Sequence, residues 1–431
     1  MARTLHIIGG GMAGLAAATE AAGCGMHVIV HEAGRACGGR ARSYHDRQLD
    51  CRIDNGNHLL LSANTTVFRY LALTGATDTL TGPGAPVFPF ADLTEDNRWT
   101  LTLSSGKVPW WMFMPHRRVP GMRLAELSSL KKLLSAGEDQ TVSECLVPGA
   151  LTRRLLEPFA ISALNTPCET ASAALLGAVV RDSLAQGGKA CIPWYPKTGL
   201  SETFVDPALA HLRIMRAEVR TQSRITGLDI ARGRVTALHT GGGDPITLTE
   251  EDRVILAVPP QVASSLLAGR VDGFTAPDEA ESILNLHFVL QEAPIPTGSF
   301  ARCGFMGLVG SVAEWVFLRD NILSVTVSAA SRFAERDQEE LIRTIWHDLR
   351  RACDPVLQSP LPANPLRQRP VWEKRATFAA TPAQNHLRPG PATSLVNLAL
   401  AGDWTATGLP STLEGAMRSG VKAVHTLGLY A

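Results

Sequence analysis

The stretches LHIIGGGMAGLAAA (residues 5–18) and HVIVHEAGRACGGR (residues 27–40) decide the fold of this chain. The apolar runs 5–8 and 27–30 predict two buried strands, and the small residues that follow Gly14 predict a helix between them. Gly9 permits a tight turn, Gly11 lets the backbone approach a pyrophosphate, and Gly14 lets the helix pack close to the strand. The pattern therefore predicts a βαβ unit that binds a dinucleotide at the N-terminus of its helix.

An acidic residue at the end of the second predicted strand completes this pattern. Glu32 lies eighteen residues beyond Gly14, where it is placed to accept hydrogen bonds from an adenosine ribose. The residues expected to contact the cofactor here are Gly9, Gly11, Met12, Ala13, Gly14, Glu32 and Ala33. A strand–helix turn that binds nothing is the alternative, and it is the weaker one because several independent features would have to coincide.

A second glycine cluster follows directly, with Gly34-Arg35 and then Gly38-Gly39-Arg40. Paired glycines bring backbone N–H groups toward an anion, and the arginine adds a bidentate, charge-assisted contact to phosphate. A nicotinamide-dependent dehydrogenase has no evident need for this element. The predicted cofactor is therefore FAD, with Gly39, Arg40 and Ala41 among its contacts.

The segment 398–420 contains a third set of candidate contacts. Asp403 follows a short apolar strand and a glycine, where it is placed to bind a ribityl hydroxyl. Ser411-x-x-Glu414 has the form of a capping box, which predicts a helix start, and the dipole of that helix is expected to point at the flavin. The cofactor contacts predicted here are Gly402, Asp403, Pro410, Ser411, Thr412 and Glu414.

The chain has 431 residues, which is too many for one compact core, so two domains are expected. The order of strand-like and helix-like segments predicts an α/β protein. Its Rossmann-like FAD-binding domain is expected to comprise 1–75, 190–260 and 395–431. An interleaved α+β substrate domain is expected to comprise 76–189 and 261–394.

Composition narrows the function classes. The formal net charge is +1 and charged residues make up 19% of the chain, with no basic block for nucleic acid. The eight cysteines contain no C-x-x-C pair, so reduced thiols and no metal site are expected. No run of about 20 apolar residues predicts a transmembrane helix. A cytoplasmic location follows as the expectation.

Two apolar segments lie in the first insertion. Residues 108–115 form the most apolar loop, and we interpret it as core filling, the lip of an apolar tunnel, or a patch that rests on a membrane. A helix is predicted over 123–135, with one apolar face. That face comprises Leu124, Leu127, Leu130, Leu133 and Leu134.

Beyond the N-terminal motifs, four further stretches carry a family resemblance: DNGNHLLL (54–61), ALNTP (163–167), KRATF (374–378) and AGDWTATGLPSTLEGA (401–416). Over essentially its whole length the chain resembles the amine oxidase and phytoene desaturase superfamily. More specifically, it resembles the squalene-associated FAD-dependent desaturases, whose assigned activity is hydroxysqualene dehydroxylase in hopanoid biosynthesis. The resemblance implies reduced FAD as hydride donor and a long apolar isoprenoid as substrate.

By the same superfamily pattern, Ile225 is expected to contact adenine through its backbone. The segment with Asn55 and Gly56 follows the second glycine cluster, so it is expected to run beneath the flavin. His58, supported by Asp54, is the candidate acid for the departing hydroxyl, because hydroxide is a poor leaving group. A buried structural imidazole is an equally good interpretation of His58. Asn165 and Lys374 are weaker candidates for lining the cavity.

Two other functions remain open at this point. In the first, oxidised FAD removes hydride from a carotenoid precursor or an amine, although four tyrosines offer little material for an aromatic cage around an amine. The second is a non-enzymatic lipid-binding protein like the GDP-dissociation inhibitors, which would have a degraded nucleotide site. An external electron donor and peripheral membrane contact are expected, because no separate NADPH domain is recognisable and squalene-like molecules barely dissolve in water.

Overall fold

The computed structural model describes residues 3–429. In chain order its strands are β1 Thr4–Ile8, β2 His27–His31, β3 Ser43–Asp46, β4 Cys51–Asp54, β5 Leu60–Leu61, β6 Leu80–Thr81, β7 Val87–Asp92, β8 Asn97–Thr102, β9 Pro193–Pro196, β10 Glu218–Arg220, β11 Ile225–Ala231, β12 Arg234–Thr240, β13 Ile246–Thr247, β14 Arg253–Leu256, β15 Ala280–Val289, β16 Phe305–Val309, β17 Trp315–Arg319, β18 Ile322–Val327, β19 Arg367–Phe378 and β20 Leu398–Leu400. Its α-helices are α1 Met12–Gly23, α2 Thr65–Thr74, α3 Ser128–Leu134, α4 Val142–Cys145, α5 Glu157–Leu164, α6 Ala173–Asp182, α7 Asp206–Ile214, α8 Pro260–Leu267, α9 Gly298–Cys303, α10 Gln338–Cys353, α11 Pro382–His386 and α12 Leu413–Thr426.

A five-stranded parallel sheet in the order β10-β2-β1-β14-β20 forms the first layer. The chain leaves β1 toward β2 on one side, where β10 is added later, and β14 and β20 lie on the other side of β1. The strand order therefore reverses at β1, and ligands bind in the crevice at the carboxyl end of a sheet at such a point. Since the glycine turn 9–14 follows β1 directly, the fold places it at this crevice.

Small residues explain how two helices cover the same face of this sheet. Helix α1 is buried from Met12 to Ala22 and consists mostly of alanine and glycine. A Cβ added to Gly420 of α12 would lie 2.1 Å from the carbonyl oxygen of Ala13. The two helices therefore touch backbone to backbone, which brings the C-terminal helix beside the glycine turn 9–14.

A seven-stranded mixed sheet, ordered β19-β15-β18-β17-β16-β7-β8, forms the second large layer. Helix α10 packs on it through a stripe at helical spacing, and this stripe buries apolar surface against the sheet. The buried residues of the stripe are Leu341, Ile342, Ile345, Trp346 and Leu349. The predicted α/β fold is thereby confirmed, with a parallel sheet and a mixed sheet as its two frameworks.

The five strands of the parallel sheet lie within the segments 1–75, 190–260 and 395–431, and the seven strands of the mixed sheet lie within the two insertions. Strand β9 pairs with both β5 and β6, and α8 packs with β11 and β14, so contacts cross these bounds. The division into two domains stays a prediction.

The helix predicted over 123–135 is wrong in part. A 3₁₀ turn occupies Leu124–Leu127 and only Ser128–Leu134 is α-helical. Leu133 is buried, whereas Leu124 and Leu134 are exposed. The carboxylate of Glu126 explains the break, because it accepts hydrogen bonds from the backbone of Arg123 and Leu151 and so fixes a different path for the chain.

Within residues 3–429, no helix combines the length and the apolar character needed to cross a membrane. All eight cysteines are free thiols. In the same part of the chain, no three His, Cys, Asp or Glu side chains come together as a metal-binding group.

Candidate cofactor and active site

The three glycines of the first turn are needed for different reasons. Gly9 has a φ of +108°, and a Cβ added there would lie 2.3 Å from the carbonyl oxygen of Ala257. A Cβ on Gly14 would lie 1.9 Å from the carbonyl oxygen of Gly9. A Cβ on Gly11 would meet no atom within 4 Å. The protein's own packing therefore requires Gly9 and Gly14, whereas Gly11 borders open space that a bound group can fill.

Helix α1 begins at this open space. Gly11 is its N-cap residue and no side chain caps the helix, so the N–H groups of the first turn are left for another acceptor. The second glycine cluster lies alongside, because the N–H of Gly38 donates to the carbonyl of Gly10 at 2.8 Å and Gly11 pairs with Gly38. Backbone N–H groups of both glycine clusters thus lie at one helix N-terminus, and this arrangement favours binding of a pyrophosphate.

Glu32 ties the two glycine clusters together. Its carboxylate oxygens accept hydrogen bonds from the N–H groups of Gly10 at 2.8 Å and Gly34 at 2.6 Å. A carboxylate has about four acceptor positions, so capacity remains for ribose hydroxyls. The carbonyl of Glu32 accepts from the N–H of Ser223, which places β11 and its first residue, Ile225, near this end of the site. Ala33 is exposed beside it.

Arg40 and Asp403, predicted from opposite ends of the chain, form an ion pair of 2.7 Å. Asp403 is buried, while Arg40 is half-buried and also donates to the carbonyl of Ala376. Burial opposes the charge of Arg40, but Asp403 outweighs it and holds the pKa of the guanidinium above its usual value. Arg40 retains unused donors on its partly exposed guanidinium, so it remains able to bind phosphate. Ala41 is buried behind it.

The start of α12 differs from the capping box that the sequence suggests. Thr412 is the N-cap residue, and its hydroxyl accepts from the N–H of Gly415 at 3.0 Å. Glu414 instead accepts hydrogen bonds from the N–H groups of Thr66 and Val67 in the first turn of α2. The capping-box prediction is therefore wrong, because the N-terminus of α2 attracts this carboxylate more favourably than its own helix.

Ser411 is consequently left outside the helix. Among the described residues its buried hydroxyl has no hydrogen-bond partner. Pro410, just before it, is buried. An unpaired buried hydroxyl is costly in a protein alone, which indicates that a bound group completes it.

Asp54 has a structural role that the sequence did not reveal. Its oxygens accept from the hydroxyl of Ser43 at 2.5 Å, the N–H of Leu200 at 2.9 Å and the guanidinium of Arg319 at 2.8 Å. These partners join three segments that are far apart in sequence. Asp54 is therefore occupied in holding the segment that follows it, rather than in bonding to His58.

The segment after Asp54 leans on the mixed sheet. Asn55 is buried; its side-chain oxygen accepts from the N–H of Arg42, and its carbonyl accepts from the side chain of Asn285 in β15. A Cβ on Gly56 would lie 3.3 Å from the same Asn285 amide. The segment 54–56 thus links Arg42, which follows the second glycine cluster, to β15 of the mixed sheet.

His58 makes no hydrogen bond to any residue between 3 and 429, and its side chain is only partly exposed. Burial lowers its pKa to about 4; Asp54 opposes this shift electrostatically, and Arg40 adds to it. The predicted support from Asp54 is thus limited to its charge, and desolvation outweighs it. The imidazole is neutral at pH 7, with ring nitrogens available to a ligand.

The two weaker candidates are placed differently. Asn165 is buried, donates to the hydroxyl of Thr377 and accepts from the N–H of Ala329, so it holds β19 against neighbouring loops. Lys374 is exposed and lies where the pairing of β15 with β19 shifts register. The same irregular stretch of β19 contacts Arg40 through Ala376. Lys374 therefore lies in a stretch that contacts Arg40, whereas Asn165 is a buried residue that joins parts of the protein to each other.

An aromatic cluster that contacts Leu59 was not predicted. The rings of Tyr195, Phe305 and Phe317 have centroids 5.9–6.2 Å apart, and Trp315 adds a fourth ring 6.0 Å from Phe305. Leu59, the neighbour of His58, packs against this cluster. Pairing of β16 with β17 places Phe305 opposite Phe317, and Tyr195 of the distant strand β9 packs against both, an arrangement that has no local sequence signal.

Arg388 was also missed. It is buried and donates to the backbone carbonyls of Asp403, Trp404, Thr405 and Leu409. Burial lowers its pKa to about 10, although Asp403 opposes this shift. The guanidinium fixes the loop between β20 and α12. A lone arginine in a Pro/Gly-rich loop gives no hint of this role.

These residues fit a flavin dinucleotide. The open space before Gly11, the uncapped start of α1, the remaining donors of Arg40 and the unpaired hydroxyl of Ser411 are each available to a bound group. Gly39, Met12 and Ala13 complete the backbone around that space. The glycine clusters would hold the pyrophosphate, and Glu32 the ribose.

Comparison with known proteins agrees with this geometry. Residues 12–427 match the sequence model of the flavin-containing amine oxidoreductases. Proteins named hydroxysqualene dehydroxylase are similar over 98% of both chains in Rhodopseudomonas palustris, at 44% identity, and over 97% of both chains in Zymomonas mobilis, at 40%.

Solved structures are similar in fold alone. Cyclohexylamine oxidase from Brevibacterium oxydans has a TM-score of 0.69 at 17% identity and covers 99% of both chains. Putrescine oxidase bound to putrescine has a TM-score of 0.69 at 15% identity, covering 99% of this chain and 98% of its own. The chain therefore belongs to the flavin-containing amine oxidoreductase family, in which proteins named hydroxysqualene dehydroxylase resemble it along nearly their whole length.

Proposed function

We propose that this protein is an FAD-dependent hydroxysqualene dehydroxylase, which reduces hydroxysqualene to squalene in hopanoid biosynthesis. The observation that carries the proposal is the end-to-end similarity, at 40–44% identity, to three proteins of that name. The geometry around the start of α1 supports it, because the two glycine clusters, Glu32 and the Arg40–Asp403 ion pair are linked to one another there. A degraded nucleotide site, as in a non-enzymatic lipid carrier, would lack these features.

The cofactor would be held at its pyrophosphate by the first turn of α1 and at its ribose by Glu32, with Arg40 and Asp403 beyond. When bound, reduced FAD supplies a hydride that, with one proton, converts the C–O bond of the alcohol into C–H and releases water. The reaction therefore needs the protein to do two things: provide a proton at the hydroxyl oxygen, and exclude water from an electron-poor carbon.

His58 is the residue that we assign to the hydroxyl. Its ring nitrogens have no hydrogen-bond partner among the described residues, and its chain neighbour Leu59 packs against the aromatic cluster. With a pKa of about 4, the imidazolium is a minor species at pH 7, roughly one part in a thousand. The neutral ring positions the hydroxyl, and the imidazolium form donates the proton. Asp54 acts on this proton only through its charge.

The aromatic cluster suits the rest of the reaction. An allylic carbon that loses hydroxide develops positive charge, which the faces of aromatic rings stabilise. Tyr195 and Trp315, the two partly exposed rings of the cluster, supply such faces without adding a charged group, whereas Phe305 and Phe317 are buried. The same apolar surface accommodates a hydrocarbon chain. An external electron donor, a cytoplasmic location and contact with a membrane remain predictions.

Product analysis tests this proposal against the oxidase and desaturase alternatives. Purified holoenzyme is supplied with a chemical reductant and hydroxysqualene, and separately with oxygen and simple amines or a carotenoid precursor. We expect squalene in the first assay and neither peroxide nor desaturated product in the others. Peroxide release with an amine, or new double bonds in the isoprenoid, would refute the dehydroxylase assignment.

A further inference from the structure

The loop 108–114 presents large apolar side chains to solvent. Trp110 is 61% exposed, Phe113 60% and Val108 54%. The neighbouring Trp111 and Met112 are buried. The backbone N–H of Trp111 donates to the hydroxyl of a serine, Ser104, at 2.8 Å, and a 3₁₀ turn spans 110–113. The buried pair anchors the loop, so its exposed side chains are held outward by the fold.

The sequence around this loop is strongly basic. Residues 104–134 contain six Lys or Arg and one carboxylate, a formal charge of +5 in a chain whose total is +1. We call these six residues the basic flank of the loop: Lys107, Arg117, Arg118, Arg123, Lys131 and Lys132. That carboxylate, Glu126, is buried and paired with Arg123. Basic residues flanking exposed tryptophan and phenylalanine match the two parts of an anionic lipid surface, its headgroups and its interface. A second copy of this chain would present the same positive charge, which disfavours self-association through the loop.

An apolar pocket of about 180 Å³ lies on the inner side of the loop. Lys107 and Ser104 are its only lining residues with a charged or hydroxyl side chain, and leucines from several helices form most of its wall. Trp111 and Met112 belong to both the loop and the pocket. An apolar chain that leaves the lipid through the loop would therefore meet an apolar space directly beneath it.

We propose that the loop 108–114 and its basic flank dock the protein on an anionic lipid bilayer, and that the pocket beneath receives an apolar chain from the leaflet. Docking stands on the exposed side chains and the charge alone. The second part, substrate access through the pocket, rests on the proposed function.

The first test measures binding of the holoenzyme to sedimented vesicles. Phosphatidylcholine vesicles are compared with vesicles that contain one-third phosphatidylglycerol. The W110S/F113S variant is compared with I214S/V396S, a matched control whose two side chains are 79% and 72% exposed elsewhere on the surface. We expect wild type and control to bind the anionic vesicles, W110S/F113S to bind at least tenfold more weakly, and neutral vesicles to bind weakly throughout.

Three results would overturn the proposal. They are wild type that stays in the supernatant, W110S/F113S that binds like wild type, and equal binding to neutral and anionic vesicles. Oligomeric state, measured by sedimentation in the same buffer, identifies the competing explanation: a wild-type dimer that W110S/F113S abolishes would assign the loop to self-association.

A second test separates docking from the proposed function. Turnover is measured with hydroxysqualene in detergent micelles and with hydroxysqualene embedded in anionic vesicles. We expect W110S/F113S to match wild type in detergent and to lose at least tenfold in vesicles. Vesicle binding without turnover in either format would refute the proposed function and leave docking intact. Equal turnover of variant and wild type in vesicles would refute access through the loop.

Discussion

Gly11→Ala separates what the fold needs from what the cofactor needs. Gly11 has φ −76° and ψ −176°, a conformation that alanine adopts readily, and an added Cβ meets no protein atom within 4 Å. The apoprotein is therefore expected to keep its stability within about 0.5 kcal/mol, as at an ordinary unstrained surface position. The same methyl group would occupy the space in front of the helix where a pyrophosphate would lie.

The loss in affinity can be bounded. Hydrogen bonds to a charged group contribute about 1.5–3 kcal/mol each, and about 1.4 kcal/mol corresponds to a factor of ten. Displacing the pyrophosphate from even one N–H group of the first turn would then weaken FAD binding about 10- to 100-fold. Gly14→Ala is expected to behave differently. Its Cβ would lie 1.9 Å from the carbonyl oxygen of Gly9, so the apoprotein itself should lose about 1–3 kcal/mol.

The assay combines fluorescence titration of apoprotein with FAD and urea unfolding of the same apoprotein. Gly23→Ala is the matched control, since Gly23 ends the same helix and also has open space at its Cβ. It should bind FAD like wild type. Two results would refute the reasoning: Gly11→Ala with wild-type affinity for FAD, or Gly11→Ala apoprotein as unstable as Gly14→Ala.

Three further predictions follow from buried groups. Arg388→Met leaves four buried loop carbonyls without their hydrogen-bond donor. We therefore expect urea unfolding to show a loss of at least about 3 kcal/mol in the free energy of unfolding, together with weaker FAD binding. An unchanged unfolding midpoint would contradict this. His58→Ala should retain FAD but lower kcat about 10²- to 10⁴-fold and abolish the wild-type rise in kcat as pH falls from 8 to 6, whereas a persisting rise would exclude His58 as proton donor. His31 and His287 have folded pKa values of about 4 because of burial, so the stability they contribute is fully present above their unfolded pKa near 6.5 and is lost as pH falls toward 4. At pH 5, protonation linked to each of these two histidines lowers the free energy of unfolding by about 2 kcal/mol relative to neutral pH. Equal unfolding free energies at pH 5 and pH 7.5 would contradict this.

Local sequence was sufficient for the nucleotide-binding half of the fold. The first forty residues contain the glycine spacing after β1, the acidic residue after β2 and the second glycine cluster. The geometry of each depends mainly on residues close by in the sequence, so each was predictable. Asp403 was also predicted, because a strand, a glycine and an aspartate form one local unit. Its partner Arg40, 363 residues away, was predicted only as a phosphate ligand.

Contacts between distant segments explain what the sequence left out. Ser411-x-x-Glu414 has the spacing of a capping box, but the N-terminus of α2 lies close enough to take Glu414, and Thr412 caps instead. Asp54 bonds to Arg319, 265 residues away, and so is not available to His58. The aromatic cluster depends on packing of β9 against β16 and β17, which no periodicity indicates. These features follow from tertiary packing, which a single sequence does not specify locally.

The central claim is most directly tested by an anaerobic single turnover. Photoreduced holoenzyme is mixed with hydroxysqualene while flavin absorbance is followed, and the products are identified by mass. The account predicts reoxidation of the flavin with one squalene formed per flavin. A spectrum that stays reduced, with the alcohol intact, would contradict the assigned reaction and its direction of hydride transfer.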